Sequence, residues 1–232
     1  MDFGFLSSLA EPWFVIPWYA VGILGAAWIV YDSLTANKAL NQPLKAAWPI
    51  LTVFLSVILI ALYWFTARPG DIEEKRGEEK QERFHKYVSN DVSKTMGALS
   101  HCVGGDGLGI ITAMVAARLL GFSFWEEFWF EYLVGFAFGL FIFQIWSFVM
   151  MGNGYLASLW KAFRAEFWSM LTVMIGMGLV MRLVTPRVVG EQPPPDTYAF
   201  WGFAALGLLV GLIATVPTNW ALVKIGWKHG MH

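Results

Sequence analysis

The chain predicts an all-α, polytopic integral membrane protein with about six transmembrane helices. Three observations carry this. Hydrophobic residues make up 57% of the 232 and charged residues only 14%, with a mean hydropathy of +0.54, whereas soluble domains run at about 45–50% apolar and about 25% charged. Six segments reach the roughly 20 apolar residues that a bilayer crossing needs. Thirteen tryptophans and nineteen phenylalanines supply the rings that gather at membrane interfaces.

The first predicted span is 13–31. No Lys or Arg precedes it, so it reads as a retained span rather than a cleaved signal. A polar loop, 32–45, leads into the second span, 46–66, and residues 1–66 form a two-helix hairpin. Residues 67–95 are a charged soluble linker. Its run 71–83 carries both signs at i,i+4 spacing, as in Glu79 and Arg83, which fits a solvated helix or a docking helix. Residues 96–232 form a four-span domain, with spans at 96–120, 128–151, 163–184 and 200–224. Pro193-Pro194-Pro195 enforces an extended loop within 185–197. Trp13, Trp18, Trp125, Trp129, Trp201, Trp220 and Trp227 mark the span ends. Eleven cations on one side against five on the other place both termini in the cytoplasm, although seven of the eleven belong to the linker.

Polar groups inside spans are costly and point to function. His101-Cys102-Val103-Gly104-Gly105-Asp106 lies in the third span. Cys102 and Asp106, four residues apart, share a helical face, while His101 is offset by about 100° and joins them only if the helix distorts. Gly104, Gly105, Gly107 and Gly109 make such distortion reasonable, or simply permit close packing. Glu131 heads a stripe with Gly135 and Gly139 and faces the bundle or the interface. Glu126 and Glu127 read as solvated, and Arg118 and Arg182 as snorkelling. Glu166, Met170, Met174, Met177 and Met181 follow one helical face. A carboxylate leading thioethers is what a Cu(I) path looks like, and equally what a packed core looks like. Pro217 and Asn219 mark a local break in the last span, and His229 and His232 fall in the tail.

The run Ser100-His101-Cys102-Val103-Gly104-Gly105-Asp106-Gly107-Leu108-Gly109, the Arg164-Ala165-Glu166-Phe167 helix start and the closing stretch from Phe200-Trp201-Gly202 through Pro217-Thr218-Asn219-Trp220 to His232 resemble a bacterial membrane family. It is catalogued as domain of unknown function four-three-nine-six, and the resemblance covers about residues 88–232. It implies a small multi-pass protein of the bacterial inner membrane, with some relatives in metal-handling settings. Some relatives carry a second cysteine where this chain has Gly105 or Asp106. With Asp106 in that place, the resemblance favours a harder ion or a proton.

Three functions are in view. The first is binding or transport of a soft metal, Cu(I) or another transition metal, between the third and fifth spans, with His101, Cys102, Asp106, Glu166, Met170, Met174 and Met177 as ligands. The second is a proton-coupled carrier of another solute using Asp106, Glu131 and Glu166. The third is an accessory or assembly subunit of a larger membrane complex, or a homo-oligomer, docking through the glycine faces Gly135/Gly139 and Gly207/Gly211. An enzyme is not expected, because hydrolase, metalloprotease and phosphate-loop motifs are missing from the sequence. Gly104-Gly105-Asp106-Gly107 has no βαβ context for a nucleotide, and one span histidine does not make a bis-histidine haem. A net charge of −1 offers no surface for nucleic acid. The bilayer itself is the expected partner.

Overall fold

The structure, a computed structural model, describes residues 4–68, 82, 85, 86, 89–150, 152, 154–190 and 192–228. After a 3₁₀ turn, Gly4–Ala10, helix α1 runs Pro12–Thr35 and α2 runs Gln42–Thr66. Helix α3 is Asp91–Leu119. Helix α4 begins as Phe124–Ala137, widens into a π turn over Phe138–Gln144, and closes as Ile145–Met150. Helix α5 runs Tyr155–Gly178, passes through a second π turn, Leu179–Val184, and ends as Thr185–Val189. Helix α6 is Tyr198–Lys224. Among the described residues every element is helical. Five helices (α1, α2, α3, α5 and α6) are long and apolar enough to cross a membrane. The remaining predicted span, 128–151, is the segmented run α4.

Capping sets the boundaries and moves several of them. Asn41 accepts from the Leu44 amide at 3.1 Å and Asn90 from the Ser93 amide at 2.9 Å, as N-cap residues do. The Asn90 cap starts α3 at Asp91, ahead of the expected 96. Gly190, at φ +83°, stops α5 at Val189, so the loop expected from 185 begins later. Asp32, expected in a loop, is the buried anchor of the α1–α2 hairpin. It pairs with Arg68 Nε at 2.9 Å and accepts from Tyr63 Oη at 2.7 Å. Of the charged run 71–83 only Glu82 is described; the rest, with Glu79 and Arg83, lies outside the described residues, as do His229 and His232.

Helix α3 is the hub, packing on α2, α4, α5 and α6. Within its most apolar window 67% is buried, against 28% for α1, which puts α3 at the centre and α1 at the rim. Its glycines serve that position. A Cβ on Gly105 would come within 2.9 Å of Gly139 Cα, and one on Gly109 within 2.7 Å of Gly135 Cα. Gly104 faces Ala47 of α2, and Gly107 faces Leu208 of α6. The expected distortion of α3 does not occur: the helix is continuous, and the four glycines are contact points for three neighbours.

The backbone does break in α2. Ser56 takes φ 48°, ψ −128°, and the Trp18 indole of α1 donates to the Phe54 carbonyl at 2.7 Å. A carbonyl left over at a kink thereby finds a partner away from water.

Candidate functional site

A polar cluster crosses the interior where α3, α4, α5, α6 and the turn after α6 meet. Asp106 stands near the midpoint of the 29-residue α3, and Cys102 lies one turn before it on the same face. Both are fully buried, as are Gln144 of α4 and Glu166 of α5. Gln144 Nε2 donates to Cys102 Sγ at 2.7 Å and to Glu166 Oε2 at 2.8 Å. The Cys102 thiol approaches Glu166 Oε2 at 3.4 Å.

Lys228, just past the end of α6, completes the cluster. Its ammonium donates to Cys102 Sγ and, at 2.8 Å, to Asn219 Oδ1, and it lies 3.9 Å from Glu166 Oε2. Burial lowers the Lys228 pKa, while the neighbouring Cys102 and Glu166 raise it, and the net direction is upward. Asn219 is itself held by α5 and α6. Its Nδ2 donates to Ser169 Oγ at 3.0 Å and to Thr215 O and Oγ1 at 3.1 Å. Instead of the break expected at Pro217 and Asn219, α6 runs through both.

The two acids meet over a glycine. A Cβ placed on Gly139 would run into Asp106 Oδ1 and Glu166 Oε1 together, so the two oxygens flank one point. Ionised carboxylates only accept hydrogen bonds, so two such oxygens facing one point are compatible when one of them carries a proton. Both Asp106 oxygens and Glu166 Oε1 lack any other hydrogen-bond partner among the described residues. Gly139→Ala is therefore expected to force the acids apart and to destabilise the fold by about 1–3 kcal/mol, read as a lower unfolding midpoint in detergent.

The π turn of α4 makes this arrangement. Its backbone bonds close across five residues, as in Ile145 N–H to Leu140 O. Gly139 and Gln144, five apart, thus come to one face and both address Glu166. On a regular α-helix they would be about 140° apart.

The remaining expected ligands are elsewhere. His101 is buried edge-on against the Phe143 ring, with centroids 5.5 Å apart, and hydrogen-bonds the Phe143 backbone. Met170, Met174, Met177 and Met181 are part of the apolar core. Met170 Cε fills the space over Gly135, and Met177 packs on Gly211. Among the described residues no group of three or more His, Cys, Asp and Glu side chains is placed to hold a metal ion. The donor set does not fit a soft cation, because Cys102 is its one soft donor among the described residues and the thioethers are packed in the core. Protein purified from copper-supplemented cells is expected to carry no stoichiometric copper, with the same content in a His101→Ala/Cys102→Ala variant. Near-stoichiometric metal lost in that variant would restore the soft-metal reading.

Glu131 is buried, yet it belongs to a second cluster at the C-terminal end of α3. Arg118 lies twelve residues beyond Asp106, about 18 Å along the axis. There Glu127 pairs with Arg118 Nε at 3.1 Å and with Arg182 at 2.8 Å, and Arg182 also approaches Glu131 at 3.8 Å. Arg118 further donates to Gln192 Oε1 at 2.9 Å and to the Pro193 carbonyl. The expectation of solvated Glu127 and snorkelling arginines is corrected: these charges find one another inside. Glu126 remains exposed and caps its own helix through Ser123. The glycine faces Gly135/Gly139 and Gly207/Gly211, read as docking surfaces, are covered by the chain's own side chains.

Reasoning from spacing missed Gln144 and Lys228. A lone glutamine in the apolar stretch 138–150 was a readable signal, since such a group must find a partner. Lys228 had no such signal, being one of several cations after a span.

The sequence model of a family described as domain of unknown function (DUF4396) matches residues 93–228. No curated protein and no solved structure matches the chain.

Proposed function

The chain belongs to the family described as domain of unknown function (DUF4396), and from that premise we propose that it is a proton-coupled carrier built around the Asp106–Glu166 pair. In this reading α4 is a sixth crossing beside the five long apolar helices, and the protein resides in the bacterial inner membrane with both termini cytoplasmic. One observation carries the proposal: two fully buried acids inside the bundle share one cation among the described residues, Lys228. With Cys102 as the thiol, two carboxylates and one ammonium are neutral only when one proton is bound. Moving that proton changes the charge of a dry site, which makes the site a means of coupling. Among the described residues, Tyr132 of α4, His101 and Cys102 of α3, and Lys228 are the other titratable groups bearing on it. The soft-metal reading is the weaker one, because the methionines are part of the apolar core and His101 turns to the Phe143 backbone, which leaves Cys102 as the one soft donor at the centre among the described residues.

Infrared difference spectra between acid and alkaline pH test this directly. A carboxyl C=O band that titrates, disappears in Asp106→Asn and in Glu166→Gln, and survives in Cys102→Ala is the expected result. A wild-type protein with no titrating buried carboxyl would sink the proposal. In vesicles, Asp106→Asn is expected to abolish pH-driven uptake while Cys102→Ala retains it. Site variants without effect, together with stable co-purification of a partner, would favour an accessory subunit.

A further inference from the structure

We propose that the central site also binds an external ammonium-type cation, ammonium itself or a small primary alkylammonium, in exchange with Lys228. The inference rests on the preceding reading only for the location of the centre, and its test reads binding rather than transport. The ammonium of Lys228 is delivered by a short turn and not by a helix. Helix α6 ends at Lys224; Gly226 takes φ +72°, and the Trp227 and Lys228 amides both return to the Leu222 carbonyl at 2.9 and 3.1 Å. This glycine-based helix stop turns the chain from an exposed surface back into the bundle, where Lys228 is 2% exposed. Arg164 of α5 stacks over the Trp227 ring at 4.2 Å and steadies the turn.

The receiving site is built independently of the lysine. The Asn219 amide nitrogen is committed to Ser169 and Thr215, so its oxygen is aimed at the cation. Cys102 Sγ and Glu166 Oε2 are further acceptors. Asp106 Oδ2 adds acceptor capacity that no described residue uses, and Asp106 Oδ1 and Glu166 Oε1 face only each other. A primary ammonium has three N–H donors in a compact head, and ammonium has one more. Unwinding residues 225–228 would vacate the position without disturbing α6, leaving a cavity shaped and charged for such a donor. A quaternary ammonium, with no N–H, lacks what these acceptors bind.

The test is thermal unfolding of the full chain in detergent, in ammonium, propylammonium and tetramethylammonium chlorides at equal ionic strength. Lys228→Ala should melt lowest in tetramethylammonium and regain about half or more of its lost Tm, saturably, in ammonium or propylammonium. The wild type should show the same order of salts with a smaller shift, because the added cation must first displace Lys228. An equal response of Lys228→Ala to the three salts overturns the proposal. Lys228→Ala/Glu166→Gln removes one charge of each sign and should be indifferent to the salt; a selective response there overturns it too. If Lys228→Ala folds only when purified in propylammonium, the proposal is supported, and failure to fold in every salt overturns it. The carrier reading is decided separately, by the infrared titration.

Discussion

Glu166→Ala is expected to destabilise the protein by about 3–5 kcal/mol, the range seen when one member of a buried ion pair is removed. The loss is large because Glu166 accepts from Gln144 at 2.8 Å, lies 3.4 Å from Cys102, and is the counter-charge of Lys228. Without it the buried ammonium keeps a thiol and an amide as hydrogen-bond partners, and Asp106 as its one remaining acid among the described residues. Adding Lys228→Met should return part of the loss, since the two changes act on one interaction. Coupled neighbours depart from additivity by about 0.5–3 kcal/mol. Denaturant unfolding of the two single variants and the double variant in detergent measures this. Strict additivity would show that the ammonium and the carboxylate do not interact.

Glu127→Ala is expected to cost a similar ~3–5 kcal/mol, while Glu126→Ala costs far less, losing only an exposed capping interaction. The two glutamates are adjacent in sequence and opposite in circumstance. Glu127 is 6% exposed and takes an arginine on each oxygen, one from α3 and one from α5. Its removal leaves Arg118 and Arg182 facing each other across a buried gap. Glu126 is solvated and serves only its own N-terminus. Unfolding midpoints of the two variants compared side by side check the contrast; equal losses would mean that the Glu127 pairs contribute little. Charge-reversing both members of the pair, as Glu127→Arg with Arg118→Glu, should recover part of the stability lost by Glu127→Arg alone.

The central cluster sits near the middle of α3 and the arginine cluster at its C-terminal end. The Lys224–Asp91 ion pair ties the end of α6 to the start of α3, and the Arg118 network ties the far end of α3 to α4, α5 and the loop before α6. A carrier needs its helices to part on alternate sides. The Glu127 variants therefore have a second use: loosening that end alone should shift transport while leaving the carboxyl titration in place.

Length and apolar content alone marked out where the helical runs lie, because a stretch of about 20 apolar residues leaves little choice. Spacing paired Cys102 with Asp106, since four residues make one turn, and picked Glu166 as an acid in an apolar span. The same arithmetic failed at α4, where the π turn brings Gly139 and Gln144 to one face. It failed at the methionines too, because a stripe of thioethers is the same in sequence whether it lines a path or fills the hollows over Gly135 and Gly211. It also failed for Glu127 and Arg118, whose partners are held by other helices.

What the sequence by itself determined is the helical class, the order of the runs, and the sharing of a face within one helix, all of which depend on neighbours within a few residues. Only the tertiary structure decided that Lys228 closes the site, that Gln144 joins Cys102 to Glu166, and that Asp106 meets Glu166 over Gly139. Those contacts join residues 22 to 126 positions apart, and a charge buried by a distant part of the chain leaves no local trace.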